Sequence, residues 1–354
     1  MKLGLGLYRH MLTRENFDFA RQAGATHIVA HLVDYFRGGA QTGPDDQPTG
    51  TDWGWGLAGD PDKLWTEAEL MELRRGVEAA GLQLEAIENF DPAHWHDILL
   101  DGPKRASHIE NVKTILRRMG RAGIPIMGYN FSIAGVAGRT KGTYARGAAP
   151  SVGMEGPYDL PMPNGMVWNM VYDPKAPPGV LPSATPGQLW SRLERFLSDV
   201  LPVAEEAGVR LALHPDDPPM PTIRAQPRLV YQPRMYQRVI DLNPSPANQL
   251  EFCIGSLAEM TEGDIYEVVD RYSREHRLGY VHLRNVRGKV PHYQETFIDD
   301  GEVDVLRVLA ILQRNGFEGV IIPDHAPQMS CAAPWHAGMA FALGYLKAGL
   351  QSLK

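Results

Sequence analysis

One short stretch indicates how this chain is built: Ile321-Ile322-Pro323-Asp324-His325-Ala326-Pro327. An apolar run ends here abruptly in a carboxylate and an imidazole. A strand that is buried on both faces reads as a continuous apolar run, and in a barrel of parallel strands the chemistry sits where the strands end. We therefore interpret Asp324 and His325 as side chains at the carboxyl end of a buried strand.

Three earlier apolar runs end in the same way. They are residues 209–213 followed by His214, residues 250–252 followed by Cys253, and residues 278–281 followed by His282. In a barrel, side chains at the ends of consecutive parallel strands share one mouth. The pattern therefore predicts that two histidines, one cysteine and one aspartate converge from four consecutive strands.

The rest of the chain alternates between short apolar runs and helical patterns. Eight strand-helix units follow one another over 354 residues, with no break in composition and no repeat of solenoid period. This alternation predicts an α/β fold, a (β/α)8 TIM barrel that forms a single domain over residues 1–354. Long inserted loops are expected at the C-terminal face of the barrel.

Two long loops interrupt the alternation. Residues 35–62 are rich in Gly, Asp and Trp, and residues 132–185 are dense in Gly, Pro and Ala without sustained periodicity. A long segment without periodicity, such as residues 132–185, is usually either functional or a sign that the element boundaries were misplaced. We interpret residues 132–185 as a lid or substrate loop, whereas the tryptophans of residues 53–65 could simply cover the barrel.

The composition is that of a globular enzyme, with 44% hydrophobic and 22% charged residues. A net charge of -7 offers no basic surface to nucleic acid, and no apolar run approaches the ~20 residues that span a membrane. The N-terminus lacks signal-peptide features, and Cys253 and Cys331 are too few for a disulfide framework, so we expect a cytoplasmic protein. The oligomeric state stays open, and a homo-oligomer is compatible with the sequence.

The four strand-end residues have the chemistry of metal ligands. Imidazole, thiolate and carboxylate together suit Mn, Fe, Co or Zn, whereas Mg and Ca prefer oxygen ligands. Each residue taken alone is more often a packing residue than a ligand. Four of them at adjacent strand ends favour a divalent metal site.

Two neighbours of these residues suggest further chemistry. His325 directly follows the expected ligand Asp324, so it could act as an acid or base beside a metal, or could only orient Asp324. Arg284 follows the seventh strand and could bind a substrate carboxylate through its planar fork, or pair with a loop acid. We favour the substrate role for Arg284.

Five more polar residues lie at or after strand ends and are candidates for substrate binding: Glu88, Asn130, Asp216, Asp217 and Glu295. The first two end strands three and four, so we expect them to face the same mouth of the barrel. Asp216 and Asp217 directly follow strand five, where a charged turn would explain them equally well. Glu295 lies in the loop after strand seven, where a solvated surface charge is the alternative.

The order of the motifs along the chain is specific. They are His214-Pro215-Asp216-Asp217-Pro218-Pro219, Cys253-Ile254-Gly255-Ser256, His282-Leu283-Arg284-Asn285, Glu295 ahead of Asp300-Gly301 and Asp304, and Asp324-His325. Together they resemble the metal-dependent D-mannonate dehydratases, which are barrels of the xylose-isomerase-like kind. The similarity covers most of the chain, from Gly24-Ala25-Thr26 to Gly344-Tyr345-Leu346-Lys347.

The resemblance implies a hydro-lyase of sugar-acid catabolism. Such an enzyme would remove water from D-mannonate or a related hexonate, giving 2-keto-3-deoxy-D-gluconate or its counterpart. The resemblance implies a divalent metal cofactor, Mn2+ in the first place, with Fe2+, Co2+ or Zn2+ as alternatives. By motif, the ligands would be His214, Cys253, His282 and Asp324. His325 would be the catalytic acid or base.

Two departures from the family pattern bear on the mechanism and the substrate. The family carries a Pro-Gly-Tyr after its Asp-His, and the nearest counterpart here is Pro334-Trp335-His336, which predicts His336 as a catalytic residue in place of the tyrosine. Because an imidazole titrates near a pKa of about 6.5 and a phenol near about 10, the pH profile would change. The second departure is Ser132-Ile133-Ala134-Gly135, where the long loop begins, and it leaves room for a substrate other than mannonate.

Two other functions stay open at this stage. A metal-dependent sugar isomerase or epimerase could use the same barrel and ligands, and its product would show no loss of water. A non-catalytic sugar-acid binding protein would bind its ligand together with the metal but show no turnover.

Overall fold

Eight parallel strands form a closed barrel in the computed structural model, which describes residues 1–38, 49 and 54–353. In chain order, the strands are β1 Lys2–Leu7, β2 His27–His31, β3 Gln83–Glu88, β4 Ile126–Tyr129, β5 Thr140–Ala145, β6 Ala149–Glu155, β7 Met166–Val167, β8 Met170–Val171, β9 Arg210–Leu213, β10 Thr222–Ile223, β11 Gln226–Pro227, β12 Asn248–Cys253, β13 Leu278–His282, β14 Asn285–Lys289, β15 His292–Thr296 and β16 Val320–Ile322. The barrel order is β1-β16-β13-β12-β9-β4-β3-β2. The predicted TIM barrel is confirmed.

The helices of the described ranges surround this barrel. They are α1 Arg14–Gln22, α2 Glu67–Ala79, α3 Pro92–Leu100, α4 Arg105–Ala122, α5 Pro186–Ala207, α6 Arg234–Leu242, α7 Ile254–Glu259, α8 Ile265–Arg274, α9 Val305–Arg314 and α10 Pro334–Ser352, with 3-10 turns at Arg9–Met11 and Arg146–Ala148. None of these helices is both long enough and apolar enough to cross a membrane.

Local sequence signals explain where the helices begin. At the start of α2, Thr66 accepts a hydrogen bond from the Glu69 N–H, and the Glu69 carboxylate accepts one from the Thr66 N–H. Thr185 and Gln188 form the same reciprocal cap at the start of α5. Each cap satisfies backbone donors that the first turn of a helix leaves unpaired.

The barrel interior is packed below its mouth. Its filling side chains are Val29, Ala86, Ile126, Ala212, Tyr280, Val320 and Ile322. Gly128 is required here, because a Cβ at this position would collide with the Tyr280 hydroxyl and the Glu251 carboxylate. Since a filled barrel is not a pore, only the side chains at the carboxyl ends of the strands can reach a ligand.

Residues 132–185 differ from the irregular loop that the sequence predicts. Within them, β5 and β6 pair antiparallel and join the hairpin of β14 and β15 in a four-stranded sheet of order β14-β15-β6-β5. Strands β7 and β8 form a separate short hairpin. These strands could not be recognised in the sequence, because the segment is rich in Gly, Ala and Pro, whereas β-branched and aromatic residues are the usual strand signal. The lid role stays a prediction.

Part of the other predicted loop, residues 35–62, lies outside the described residues, which omit residues 39–48 and 50–53. Trp53 is among the omitted residues, whereas Trp55 and Trp65 are described and buried. The single domain over residues 1–354 stays a prediction.

Candidate metal centre and catalytic cavity

A cavity opens at the carboxyl ends of the barrel strands. Its lining residues are Gly6, Tyr8, His31, Tyr35, Trp55, Glu88, Asn89, Asn130, Val136, Arg139, Trp168, His214, Asp217, His282, Ile322, Asp324, His325, Ala326, Trp335 and Met339. Cys253 is fully buried and does not line the cavity, but its Sγ lies 3.7 Å from the carboxylate of the lining residue Asp324. Seven residues that the sequence predicts for the site therefore line one cavity, and an eighth lies just behind it.

Three of the four predicted ligands lie within reach of one ion, and the fourth, Asp324, lies beside two of them. Cys253 Sγ is 3.7 Å from Asp324 Oδ2, and His282 Nδ1 is 3.5 Å from Asp324 Oδ1. Ligand atoms of His214, Cys253 and His282 all lie within 4.8 Å of one another. Ligands that share an ion at about 2.0–2.3 Å are themselves separated by about 3–4 Å, so this arrangement fits a divalent metal.

The hydrogen bonding of the two histidines also fits a metal. The carbonyl oxygen of Pro215 can only accept, so His214 Nδ1 donates to it at 2.6 Å, and the neutral form of the ring has its lone pair on Nε2. His282 is 3% exposed, yet neither of its ring nitrogens has a hydrogen-bond partner among the described residues. Buried nitrogens are rarely left unpaired, and an ion would satisfy one of these.

The electrostatics of the site favour charged forms of the cysteine and the aspartate. Burial raises the pKa of Cys253, but the Arg284 guanidinium together with hydrogen bonds from His214 and His282 lowers that pKa to about 6. Ser256 supports the thiolate by donating from its backbone N–H and its hydroxyl to Sγ, at 3.4 and 3.3 Å. Burial opposes ionisation of Asp324 too, yet His325 and His282 hold its pKa well below the usual range.

A second group of potential ligands lies deeper in the barrel. His282 Nε2 is 3.4 Å from Glu88 Oε2 and 3.3 Å from Glu251 Oε1. Burial and the neighbouring Glu88 carboxylate raise the pKa of Glu251 to about 8. The group that includes Cys253 is the candidate metal centre, because it holds three of the four predicted ligands and the soft thiolate donor.

His325 is held beside the predicted ligands by a carboxylate from another element. Its Nδ1 lies 3.2 Å from Glu295 Oε1, and its Nε2 lies 3.3 Å from Asp324 Oδ1. Because an ionised Glu295 can only accept, the Nδ1 carries a proton and Nε2 is the atom left to exchange one. Burial lowers the pKa of His325, but Asp324 and Glu295 outweigh it and raise that pKa.

Sequence comparisons agree with this geometry. The family model described as D-mannonate dehydratase matches residues 15–149 and 183–346. The chain belongs to the D-mannonate dehydratase family. A mannonate dehydratase of Streptococcus suis is 31% identical over 280 residues, 74% of this chain and 75% of that protein. One of Thermotoga maritima is 31% identical over 303 residues, 74% of this chain and 78% of that protein.

Solved structures support the same family and fold. The crystal structure of mannonate dehydratase from Streptococcus suis serotype 2 superposes with a TM-score of 0.75 at 26% identity, over all of this chain and 95% of that one. An L-ribulose 3-epimerase superposes with a TM-score of 0.58 at 14% identity, over 99% and 95% of the two chains, which shows the fold alone. The D-mannonate dehydratase resemblance that the sequence motifs indicate is confirmed.

In this member of the D-mannonate dehydratase family, Arg284 does not reach the cavity, which corrects its predicted substrate role. The residue is 1% exposed, and its guanidinium donates to Asp324 Oδ2 at 2.9 Å, to Asp217 Oδ2 at 2.8 Å and to Glu259. Arg284 instead forms ion pairs with acidic residues, which was the alternative interpretation of the sequence. Arg284 thereby fixes Asp324 and lowers the pKa of Cys253.

Two of the acidic residues predicted to bind substrate instead form hydrogen bonds and ion pairs with other residues of the protein. Asp216 accepts from the Leu229 and Val230 N–H groups at 2.7 and 2.8 Å and pairs with Arg228. Glu295 accepts from His325, and neither acid lines the cavity. These contacts correct both predictions: Asp216 braces the turn after β9, and Glu295 orients His325.

The remaining predicted substrate residues do line the cavity. Asp217 is held there by Arg284, and Glu88 accepts from the Tyr280 hydroxyl at 3.2 Å. Asn130 donates to the Pro215 carbonyl at 3.4 Å, and its Oδ1 is buried with no partner among the described residues. Asn130 therefore offers an acceptor to a ligand hydroxyl. Substrate contact by these three residues stays a prediction.

His336 lies outside the cavity, which corrects the expectation that it replaces the family tyrosine. It stands in the first turn of α10, where its Nε2 is 2.9 Å from Asn16 Oδ1 and its ring packs against Phe19 of α1 at 4.8 Å. The neighbouring Trp335 lines the cavity instead. His336 stands at the sequence position expected from the motif, but its place in α10 directs the imidazole toward α1.

We expect His336→Phe to leave kcat within about a factor of two of the unmodified protein, because the imidazole lies against Asn16, Phe19 and Trp335 and is not among the described residues that line the cavity. The variant loses the hydrogen bond to Asn16, which typically lowers the unfolding free energy by about 1 kcal/mol. Steady-state turnover and thermal melting measure the two effects. A tenfold or larger loss of kcat, at unchanged melting temperature, would restore His336 to the mechanism.

Two kinds of cavity residue have no recognisable site signal in the sequence. Arg139, from the segment before β5, is the one arginine or lysine among the described residues that line the cavity. Tyr35, Trp55 and Trp168 form an aromatic wall, with ring centroids 5.4 to 5.5 Å apart. Their only sequence signal was membership of the two long loops.

A further group of potential ligands, His96, Asp97 and His108, lies buried between α3 and α4. The Pro92 carbonyl requires a proton on His96 Nδ1, at 2.7 Å. His108 Nδ1 accepts from the Asp97 N–H at 3.2 Å, so a neutral His108 carries its proton on Nε2 and has no lone pair left for an ion. This group fits a hydrogen-bonded structural cluster.

Proposed function

We propose that this protein is a metal-dependent hydro-lyase that removes water from a hexonate of the D-mannonate type, giving a 2-keto-3-deoxy acid. The observation that carries the proposal is the convergence of His214, Cys253, His282 and Asp324, with His325 beside them, in a chain of the D-mannonate dehydratase family. The substrate class comes from the names of the relatives.

These four residues would hold the ion, and we propose Mn2+ in the first place. A thiolate disfavours Mg and Ca, whereas Fe2+, Co2+ and Zn2+ remain compatible with the donor set. A bound divalent ion would polarise the substrate carboxylate and hydroxyl groups, making the C2 proton more acidic, and its charge would oppose protonation of His325. Arg284 keeps Asp324 and Cys253 ionised and in place for this role.

His325 is the proposed acid and base. Glu295 keeps the proton on Nδ1, so Nε2 takes the proton from C2 of the substrate. The C2–C3 double bond forms as the C3–oxygen bond breaks, and Nε2–H returns the proton to the departing hydroxyl as water. The resulting enol then converts to the ketone. One imidazole thus balances the protons, which agrees with the position of His336 outside the cavity.

Arg139 is proposed to bind the substrate carboxylate. Its side chain is 4% exposed and lies 3.8 Å from Glu295, near the proposed base, and Asp217 and Glu295 outweigh the effect of burial and raise its pKa. A guanidinium can hold a carboxylate by two parallel hydrogen bonds. The acid group of the hexonate would then lie beside His325, which places C2 within its reach.

We expect Arg139→Met to raise KM for the hexonate by about 10- to 100-fold, with a smaller change in kcat, because the lost contact is present in both the bound substrate and the transition state. Arg139→Lys should restore part of the affinity. Arg146→Met is the matched control, since Arg146 is half exposed and pairs with Asp299 at 3.0 Å. An unchanged KM in Arg139→Met would remove the residue from carboxylate recognition.

The proposal is tested by incubating the manganese-loaded protein with a panel of hexonates that includes D-mannonate, and by following product mass and 2-keto-3-deoxy acids. We expect loss of one water, abolished by a chelator. Products of unchanged mass would instead indicate an isomerase or epimerase. Metal-dependent binding without any product would indicate a binding protein.

We also propose a cytoplasmic location. Cys253 and Cys331 are both free, and the first belongs to the proposed metal centre. A reducing compartment keeps a ligand thiol of this kind from oxidising.

A further inference from the structure

The aromatic wall includes an element that the family model does not match. The matched ranges leave out residues 150–182, which contain the hairpin of β7 and β8. The two residues of its turn, Trp168 and Asn169, both have left-handed backbones, with φ of 52° and 56°. A bulky tryptophan is rare in this conformation, where Gly and Asn are usual.

The tip of this hairpin is fixed at the mouth of the barrel. The Trp168 N–H donates to the Ile133 carbonyl at 2.6 Å, and Asn169 Nδ2 donates to the Val136 carbonyl at 2.9 Å. Asn169 Oδ1 in turn accepts from the buried Arg224 at 2.9 Å. Contacts on both sides of the turn therefore hold the indole of Trp168 in one place.

The indole N–H of Trp168 has no hydrogen-bond partner in the part of the chain that the structure describes. Trp168 is 3% exposed and lines the cavity, and its Nε1 is buried without a hydrogen-bond acceptor in residues 1–38, 49 and 54–353. Buried indole N–H groups usually find an acceptor, because leaving one unpaired is costly. Because Trp168 lines the cavity, a ligand there can supply the acceptor.

The wall faces the metal centre across the cavity. Tyr35 is hydrogen-bonded at 3.0 Å to His31, at the end of β2, and at 3.0 Å to Asn89, after β3. The four predicted ligands lie at the ends of β9, β12, β13 and β16, and the middle pair of these strands stands opposite β2 and β3 in the barrel order. A sugar acid whose reacting carbons lie at the ligands extends its remaining hydroxyls toward the wall.

We propose that Trp168 is a specificity-determining residue, whose indole N–H donates to one hydroxyl of the sugar-acid chain beyond C3. This inference rests on the proposed hydro-lyase function and deepens it. The hydrogen bond makes the site selective for polyhydroxylated acids of hexonate length, and the residue comes from a segment that the family model does not match.

The test compares the manganese-loaded protein with its Trp168→Phe variant on D-mannonate, or on the best hexonate of the panel, and on its 4-, 5- and 6-deoxy analogues. In the unmodified protein, kcat/KM should fall by about 10- to 100-fold for the one analogue that lacks the partner hydroxyl. Trp168→Phe should lose a similar factor on the full substrate and little more on that analogue. Trp190→Phe, on α5 with its ring under Arg238, is the control and should keep the discrimination.

Three results overturn the inference. If the unmodified protein turns over all deoxy analogues as well as the hexonate, no distal hydroxyl is read, and this result needs no variant to fold. If Trp168→Phe keeps the full discrimination, another residue reads it, and the hydro-lyase function stands. If the unmodified protein neither dehydrates nor binds any hexonate by calorimetry, the proposed function and the inference fall together.

Discussion

Replacing His325 with asparagine is expected to lower kcat by about 10²- to 10⁴-fold, the usual contribution of a positioned acid or base. Asparagine can still hydrogen-bond to Glu295 but cannot exchange a proton at the position of Nε2. Because His325 is not one of the four proposed ligands, the metal content should stay the same. Turnover with the best hexonate, measured together with metal content, checks both parts.

Glu295→Gln is the companion variant. It keeps the size of the side chain but removes the carboxylate that fixes the proton on His325 Nδ1, so we expect a smaller loss of kcat, about 10- to 100-fold. A His325→Asn protein that retains near-normal turnover would contradict the assignment. A protein that loses its metal at the same time would indicate that His325 acts by supporting Asp324.

Replacing Cys253 with alanine is expected to weaken manganese binding by at least about 100-fold and to abolish turnover at ordinary metal concentrations, since loss of even an outer partner of a ligand commonly costs 10- to 100-fold. The thiolate that Arg284 and Ser256 stabilise is the softest donor in the group. Calorimetric titration of the metal-free protein measures the affinity directly.

The chain supplies a matched control for this experiment. Cys331 is exposed and free, so Cys331→Ser should leave metal affinity unchanged. Equal loss of affinity in both variants would indicate a general effect of thiol removal. Unchanged affinity in Cys253→Ala would place the ion away from Cys253.

Strand ends were the features that the sequence could predict. The end of each strand is visible in the sequence, because an apolar run stops at His214, Cys253, His282 or Asp324. In a parallel barrel these strand ends lie at the same mouth, so their proximity could be predicted although no distance could. Glu251 could not be found this way, because it stands in mid-strand and reads as an ordinary alternating polar residue. Its inward position depends on the strand register opposite Tyr280.

Side-chain direction and partners were the features that the sequence could not predict. Arg284 stands next to a predicted ligand, yet acids from three other parts of the chain turn it away from the cavity. Arg139 looked like one more loop cation but faces the cavity. His336 kept its place in the motif, and only the packing of α10 on α1 reveals that its ring points elsewhere.

The position of the ion can be measured by anomalous diffraction at the manganese edge, from crystals soaked with Mn2+ and D-mannonate. We expect one strong peak within about 2.0–2.6 Å of a His214 nitrogen, Cys253 Sγ, a His282 nitrogen and an Asp324 oxygen. A peak among Glu88, Glu251 and His282 Nε2, beyond bonding distance of Cys253, would contradict this expectation.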